Sequence, residues 1–324
     1  MSRRARNLEL NLGKACNNRC IFCLDGNARP EARRWVPVDR ARGELERARA
    51  QGARSVGLLG GEPTAHPSVL EIVAMAREMG FERIALATNA LKLRDAELCR
   101  ALVEAGATRF SLSIHAHRAA DEDYLTGREG NFARKLAAVR NLVSLRDAGA
   151  IPHNVSVNAV LTRRIHASLP ELLAFFRREG IRDVRFNMIR TDACPELGEE
   201  LTPRLSELTP AILRAVAVAR TRLGTQVSFG DLPLCAYPWE VLRNPGLASR
   251  VVGESRDLDT WVAVFHAPRD TAVDAHRFKW SEKKRHALKL QPEEPCARCR
   301  AVTRCEGLWR SYHLLYGAAE LSPL

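Results

Sequence analysis

The sequence is short of cysteine, of aromatic residues and of long apolar runs. Nine cysteines in 324 residues fall far below the ~8–10% of a disulfide scaffold. A chain of this length buries about three quarters of its unfolded surface without covalent staples. No run of ~18 apolar residues is present, which excludes a membrane-spanning helix. The opening residues, MSRRARNLELNLG, are basic but lack the apolar core of a secretory signal. These absences predict a cytoplasmic protein with reduced thiols and no membrane partner. Acidic residues are also outnumbered, 38 against 50 basic ones, for a net charge of +12. The excess favours an acidic partner without specifying which.

What is present is a repeat. Amphipathic stretches end on Gly52, Gly80, Gly106, Gly149, Gly180 and Gly224, and an apolar segment follows each. Glycine is the usual residue just past a helix end, because it takes the left-handed conformation without strain. The segments are 55–60, 83–88, 109–115, 154–162, 184–189 and 226–229, with LELNLG (8–13) before the first helix. In PSVLEIVAMAREMG, Val69, Ile72, Val73, Ala76 and Met79 share one stripe. Ser168 and Glu171 read as a capping box. Alternating strands and helices predict a parallel sheet covered by helices. Periodicity alone leaves a doubly wound sheet and a β/α barrel open. The unusual polar residues all fall near the carboxyl ends of strands, which is the active face of a barrel. The expected fold is therefore an α/β partial (β/α)6 TIM-type barrel, residues 1–230, with a small cysteine-containing extension, residues 231–324.

A third of the cysteines, Cys16, Cys20 and Cys23, lie within eight residues after the first strand. In a reduced chain such a group points to metal. Zinc wants four ligands and no fourth cysteine or histidine lies nearby. Three thiolates suit a [4Fe–4S] cube with one open iron. One strand later comes Gly60-Gly61-Glu62-Pro63. The triplet Cys-x3-Cys-x2-Cys followed by GGEP resembles the radical S-adenosylmethionine (radical SAM) superfamily, over residues ~7–190.

The resemblance implies that Cys16, Cys20 and Cys23 hold three irons and that S-adenosyl-L-methionine (SAM) chelates the fourth. It places Phe22 beside the adenine. Gly60 and Gly61 would admit the methionine amine, Glu62 would accept from it, and Pro63 would fix the turn. Ser113, His115 and Asn158 would meet the ribose or carboxylate, and Arg128 would pair with the SAM carboxylate. It implies reductive cleavage of SAM to a 5′-deoxyadenosyl radical, with a reductase such as ferredoxin or flavodoxin as electron source. Cys194, beyond the sixth strand, is a candidate catalytic thiol if exposed. Thr88-Asn89 reads as loop-shaping, His66 as a helix-start residue and Cys99 as core.

A second group, Cys296, Cys299 and Cys305, has Cys235 upstream. Four cysteines suit zinc or a second cluster. The segment resembles the SPASM and twitch extensions of radical SAM enzymes, although Trp309 stands where a further cysteine is expected. This implies a twitch-like domain with an auxiliary [4Fe–4S] cluster, zinc being the alternative. It also implies a peptide or protein substrate, the alternative being a small cofactor or nucleotide. Arg269–Lys289 carries seven basic residues, suited to an acidic peptide, an acidic electron donor or a nucleic acid. Little aromatic interleaving accompanies them, so base stacking is not favoured.

Overall fold

The computed structural model describes residues 6–26, 34–256, 259–264, 276–279, 281 and 287–324. Most of the basic run 269–289 lies outside them. Seven strands fall where the repeat predicts: β1 (Arg6–Asn11), β2 (Ser55–Leu59), β3 (Arg83–Thr88), β4 (Arg109–Ser113), β5 (Asn154–Leu161), β6 (Asp183–Met188) and β7 (Gln226–Gly230). Each pairs in parallel with the next. The helices between them are α1 (Val38–Ala50), α2 (Val69–Glu78), α3 (Ala96–Ala105), α4 (Ala119–Leu125), α5 (Asn131–Asp147) and α6 (Leu169–Arg178). The short α7 (Gly198–Leu201) and then α8 (Leu205–Val218) precede β7. All six helix-terminal glycines have positive φ, from 57° to 125°.

The sheet extends further than the repeat indicates. β8 (Asp259–Val264) pairs in parallel with the far side of β1, and β9 (His276–Lys279) pairs antiparallel with β8. The order is β7-β6-β5-β4-β3-β2-β1-β8-β9, so the described sheet is open, with β7 and β9 at its edges. β1 lies inside the sheet because a segment some 250 positions away covers it: Asn7 Nδ2 donates to Thr260 Oγ1 at 3.2 Å.

Strict alternation gives the sheet two different faces. Leu8, Leu10, Val56, Leu58, Ile84, Leu86, Phe110, Leu112, Val184 and Phe186 are buried in the apolar core. Their neighbours Asn7, Glu9, Arg83, Arg109, Ser111, Ser156, Asn158, Asp183, Arg185 and Asn187 line a cavity of about 1890 Å³. The inside of this barrel is thus polar and open, where a closed barrel would be filled with aliphatic side chains. One local expectation fails. Ser168 makes no cap at α6; its hydroxyl donates back to Ile165 O at 3.3 Å.

Candidate functional site

The cysteine loop leaves β1 and is clasped by the loop after β2. Gly61 N donates to Gly13 O at 2.7 Å, and Glu62 N to Ala15 O at 2.9 Å. A Cβ on Gly61 would lie 2.1 Å from Ala15 O, and one on Gly60, at φ 131°, 2.5 Å from Gly13 O. The two glycines therefore let two loops touch, a requirement of the protein itself. Pro63 opens a short 3-10 turn, Pro63–Ala65, capped by Glu62.

Glu62 is wholly enclosed and busy. Its Oε1 accepts from Thr64 N (2.9 Å), Thr64 Oγ1 (2.5 Å) and Thr88 Oγ1 (2.6 Å), and its Oε2 from Asn89 N (2.6 Å). Burial pushes the carboxyl up and the four donors oppose that. The sequence reading gave this carboxylate to a ligand alone; the structure makes it the tie between the loops after β2 and β3. Asn89, read as loop-shaping, goes further. Its Nδ2 donates to Asn17 Oδ1 at 2.8 Å and faces Cys16 Sγ at 3.6 Å.

Cys16 is exposed and Cys20 and Cys23 are half-buried. Asn18 N donates to Cys16 Sγ at 3.4 Å, and Asn18 Nδ2 to Cys20 Sγ at 3.3 Å. Burial pushes Cys20 up to about 12; the charge of Lys135 opposes this and the neighbouring thiols add to it. Burial, with Glu62 and Cys23 nearby, raises Cys16 as well. Thiols crowded this way give up their protons to a metal. N–H groups already aimed at two sulfurs are the donor set that a thiolate-ligated cluster takes. The triplet fits a cluster on both counts.

Behind the loop sits a buried ion pair. Lys135 Nζ lies 2.6 Å from Glu122 Oε1, both with no side-chain exposure. Lys135 also donates to Ser113 O at 2.7 Å. Glu122 Oε2 accepts from His115 N (2.6 Å) and Ala116 N (2.8 Å). Burial would raise Glu122, but Lys135, His115 and these donors bring it below the usual carboxylate range. His115 is enclosed, and desolvation lowers it to about 4, with Lys135 adding to the effect and Glu122 opposing it. Its Nδ1 accepts from Val160 N at 3.2 Å, which puts the ring proton on Nε2. Phe22 meets this ring edge-on at 5.0 Å.

Ser113 and Asn158 are register partners on β4 and β5. Asn158 Oδ1 accepts from Asn187 Nδ2 at 2.8 Å, and Asn187 Oδ1 from Arg185 Nε at 2.9 Å. A polar ladder thus crosses the inner face toward β7. Arg128 is exposed, in a turn whose Gly127 would meet Arg19 O at 2.3 Å if it bore a Cβ. His66 opens its turn as read, with Nε2 2.8 Å from Val36 O, and Cys99 is core. Cys194 is corrected. It is only 3% exposed and burial raises its pKa, so the exposure that would make it a reactive thiol is missing.

The other four cysteines gather although 61 or more positions separate Cys235 from the rest. All four line one small cavity with Pro233, Leu290, Leu308 and Leu324. Leu234 N and Gly307 N donate to Cys305 Sγ (3.4 and 3.3 Å), and Leu324 N to Cys299 Sγ (3.4 Å). Burial, with Cys305 and Cys296 nearby, pushes Cys235 up to about 11. Among the described residues, the one trio of ligand atoms within 4.8 Å of one another is Asp231, Glu254 and Glu306, and no three cysteines meet that spacing. Trp309 packs between Lys289 Nζ (4.7 Å) and Arg190 (4.9 Å), linking this segment to the loop after β6.

Sequence reasoning missed Asn18, Glu122, Lys135 and Asn131, and read Asn89 only as loop-shaping. Only the paired asparagines after Cys16 stood close enough to the motif to signal themselves.

The profile of the Radical SAM superfamily matches residues 10–176. A GTP 3′,8-cyclase of Edwardsiella ictaluri (strain 93-146) is 33% identical over 196 residues, 59% of this chain and 57% of that protein. The GTP 3′,8-cyclase of Synechococcus elongatus (strain ATCC 33912 / PCC 7942 / FACHB-805) is 33% identical over 188 residues, 57% and 55% of the two chains. The chain thus spans a little over half the length of these curated relatives. Among solved structures, Streptococcus suis SuiB bound to S-adenosylmethionine aligns with a TM-score of 0.66 at 15% identity, over 99% of this chain and 76% of that one. SuiB bound to precursor peptide SuiA aligns with a TM-score of 0.56 at 18% identity, over 70% and 49%. At these identities the likeness shows the fold.

Proposed function

The chain belongs to the radical SAM superfamily and is an enzyme of radical chemistry, and from that premise we propose that it modifies a peptide or protein side chain. Bound at Cys16, Cys20 and Cys23, a [4Fe–4S] cluster with SAM supplies reductive cleavage of SAM and a 5′-deoxyadenosyl radical that takes hydrogen from the substrate. The protein's part is to seat SAM and aim the substrate. Phe22 and neutral His115 form one wall. Ser113, which ends β4, and its register partner Asn158 on β5 offer hydrogen bonds to the ribose or carboxylate. The Gly60–Pro63 turn would hold the methionine end, through its backbone and the Glu62 carboxylate. Arg128, exposed on its own turn, would pair with the SAM carboxylate. A low-potential ferredoxin or flavodoxin delivers the electron.

We assign residues 231–324 to an auxiliary-cluster extension that also lends β8 and β9 to the barrel sheet, with Cys235, Cys296, Cys299 and Cys305 as ligands. Tetrahedral zinc with Zn–S of about 2.3 Å holds its sulfurs about 3.8 Å apart. No three of these sulfurs all lie within 4.8 Å of one another, a looser set than tetrahedral zinc takes, and this supports a cluster over a single zinc ion.

The observation that carries the peptide reading is the cavity. At about 1890 Å³ it has room for a large substrate beside SAM, whose proposed contact Asn158 also lines it, where one small-molecule site takes ~300–1,000 Å³. Among the described residues that line it the charges balance: Arg83, Arg109, Arg185, Lys279, Arg300 and Arg304 stand with Glu9, Asp183, Asp231, Glu254, Asp259 and Glu306. A triphosphate calls for a clear cationic excess, whereas a peptide of mixed charge does not. Trp239, 65% exposed at the rim, offers an apolar contact. The second reading, a nucleotide substrate, is favoured by the 33% identity to proteins named GTP 3′,8-cyclase.

One experiment separates the two. Anaerobically reconstituted protein is given SAM and dithionite, then either GTP or a library of synthetic peptides. The peptide reading expects 5′-deoxyadenosine above the substrate-free level with peptides, and a peptide product of altered mass. Stimulation by GTP alone, with a cyclised nucleotide formed, overturns it.

A further inference from the structure

Asn18 holds the two ends of the cysteine loop at once. Its backbone N–H donates to Cys16 Sγ and its side-chain Nδ2 to Cys20 Sγ. What fixes the side chain is at its other end. Oδ1 accepts from Arg19 N at 3.0 Å and from Asn131 Nδ2 at 2.9 Å. Turning the amide over would set its NH₂ against those two donors and its oxygen against sulfur. The orientation is therefore decided by the network.

Asn131, the first residue of α5, is itself held as a donor. It is fully buried, and its Nδ2 also donates to Thr126 Oγ1 at 3.1 Å. That hydroxyl cannot reverse the bond, since it donates to Glu122 O at 2.7 Å. The Oδ1 of Asn131 is buried without a partner among the described residues. An unsatisfied buried carbonyl costs about 1–3 kcal/mol. The amide is kept despite that penalty, for its two N–H groups. Directionality thus runs from α5 through two amides to one sulfur.

We propose that Asn18 sets the reduction potential of the cluster held by Cys16, Cys20 and Cys23, and that Asn131 is its positioning residue. This rests on the assignment of that triplet as the cluster site. A hydrogen bond to a ligating sulfur stabilises the reduced, more negative state and raises the potential. Without the N–H at Cys20 the site becomes harder to reduce. Asn131 acts by keeping the Asn18 amide facing sulfur.

The test is a redox titration of the full-length, iron-loaded protein. It follows the electron paramagnetic resonance signal that SAM addition perturbs, which separates this site from the C-terminal one. Loss of that signal in the Cys16/Cys20/Cys23→Ala variant checks the site assignment separately. Asn18→Leu is close in size, neutral and has no donor. Its midpoint should move negative by about tenfold in the reduction equilibrium, or about 59 mV for one electron. Asn131→Leu should move it in the same direction, and the double variant no further than Asn18→Leu. A wild-type midpoint in Asn18→Leu at full iron content overturns the proposal, as does a double variant equal to the sum of the singles. Should Asn18→Leu fail to load iron, Asn131→Leu decides, and a wild-type midpoint there is equally fatal.

Discussion

Lys135 Nζ and Glu122 Oε1 lie 2.6 Å apart with neither side chain exposed, and between them they hold three backbone groups, one at the end of β4 and two just after it. A charge pair in this position organises the floor of the site. Removing one partner strands the other.

Lys135→Met should therefore destabilise the protein by about 3–5 kcal/mol, the usual result of orphaning a buried charge. Adding Glu122→Gln should recover part of that. Urea unfolding of the two single variants and the double checks it. A single variant within ~1 kcal/mol of wild type would show the pair to be dispensable.

Acid should weaken this region through Glu122. Its folded pKa lies below its unfolded one, so its stabilisation is present above the unfolded value. It is lost as pH falls through the folded value. Unfolding followed from pH 6 down to pH 3, about the carboxylate range, should show a decline that Glu122→Gln flattens.

His115 gives a separate window. Its pKa is lowered to about 4 from about 6.5. The unfolded chain therefore binds a proton between those values that the folded chain refuses. Stability from this group is complete above about pH 6.5 and declines as pH falls to about 4, by about 3 kcal/mol at most. His115→Gln should remove that slope between pH 6.5 and 4.5. An unchanged slope would mean the ring is protonated in place.

Glu62→Gln should lower the melting temperature in the absence of SAM. The amide supplies one acceptor oxygen where four donors converge, a loss of about 1–3 kcal/mol. Thr88→Val should cost less, since it removes one donor of the four. Calorimetry of the protein without SAM measures both. Equal melting temperatures for all three proteins would return Glu62 to a role in ligand binding alone.

Gly61→Ala should separate the two loops, because its Cβ meets Ala15 O at 2.1 Å. Iron bound by the reconstituted protein should fall by about four per chain, the content of one cubane cluster. Full iron loading in this variant would mean that the clasp is not needed to shape the cysteine loop.

Strands β2 to β7 were legible because each follows a glycine that ends the preceding helix, and in β3 and β4 alternation also buries every second residue. Gly80 and Ile84, or Gly106 and Phe110, are local signals. The cysteine triplet and GGEP were legible for the same reason. Lys135 and Glu122, separated by thirteen positions, and Asn18 and Asn131, separated by 113, meet only once α4 and α5 have packed against the cysteine loop. Asn18 stands inside the cysteine motif, but nothing in the neighbouring residues marks Lys135, Glu122 or Asn131. The pairing of β8 with β1 was hidden likewise. Cys194 failed in the opposite way: its place in the sequence suggested a mouth, and side-chain packing closed over it.

The position of β1 has a consequence for assembly. As the chain is synthesised, β1 emerges first and finds β2 within fifty residues. Its other flank waits for β8, some 250 residues later. Until then the strand that roots the cysteine loop presents an unpaired edge, open to pairing with a neighbouring chain. At ~5–20 residues per second this lasts at least ten seconds or so. Iron delivered during that interval meets a loop anchored on one side, whereas iron delivered after release meets one held on both.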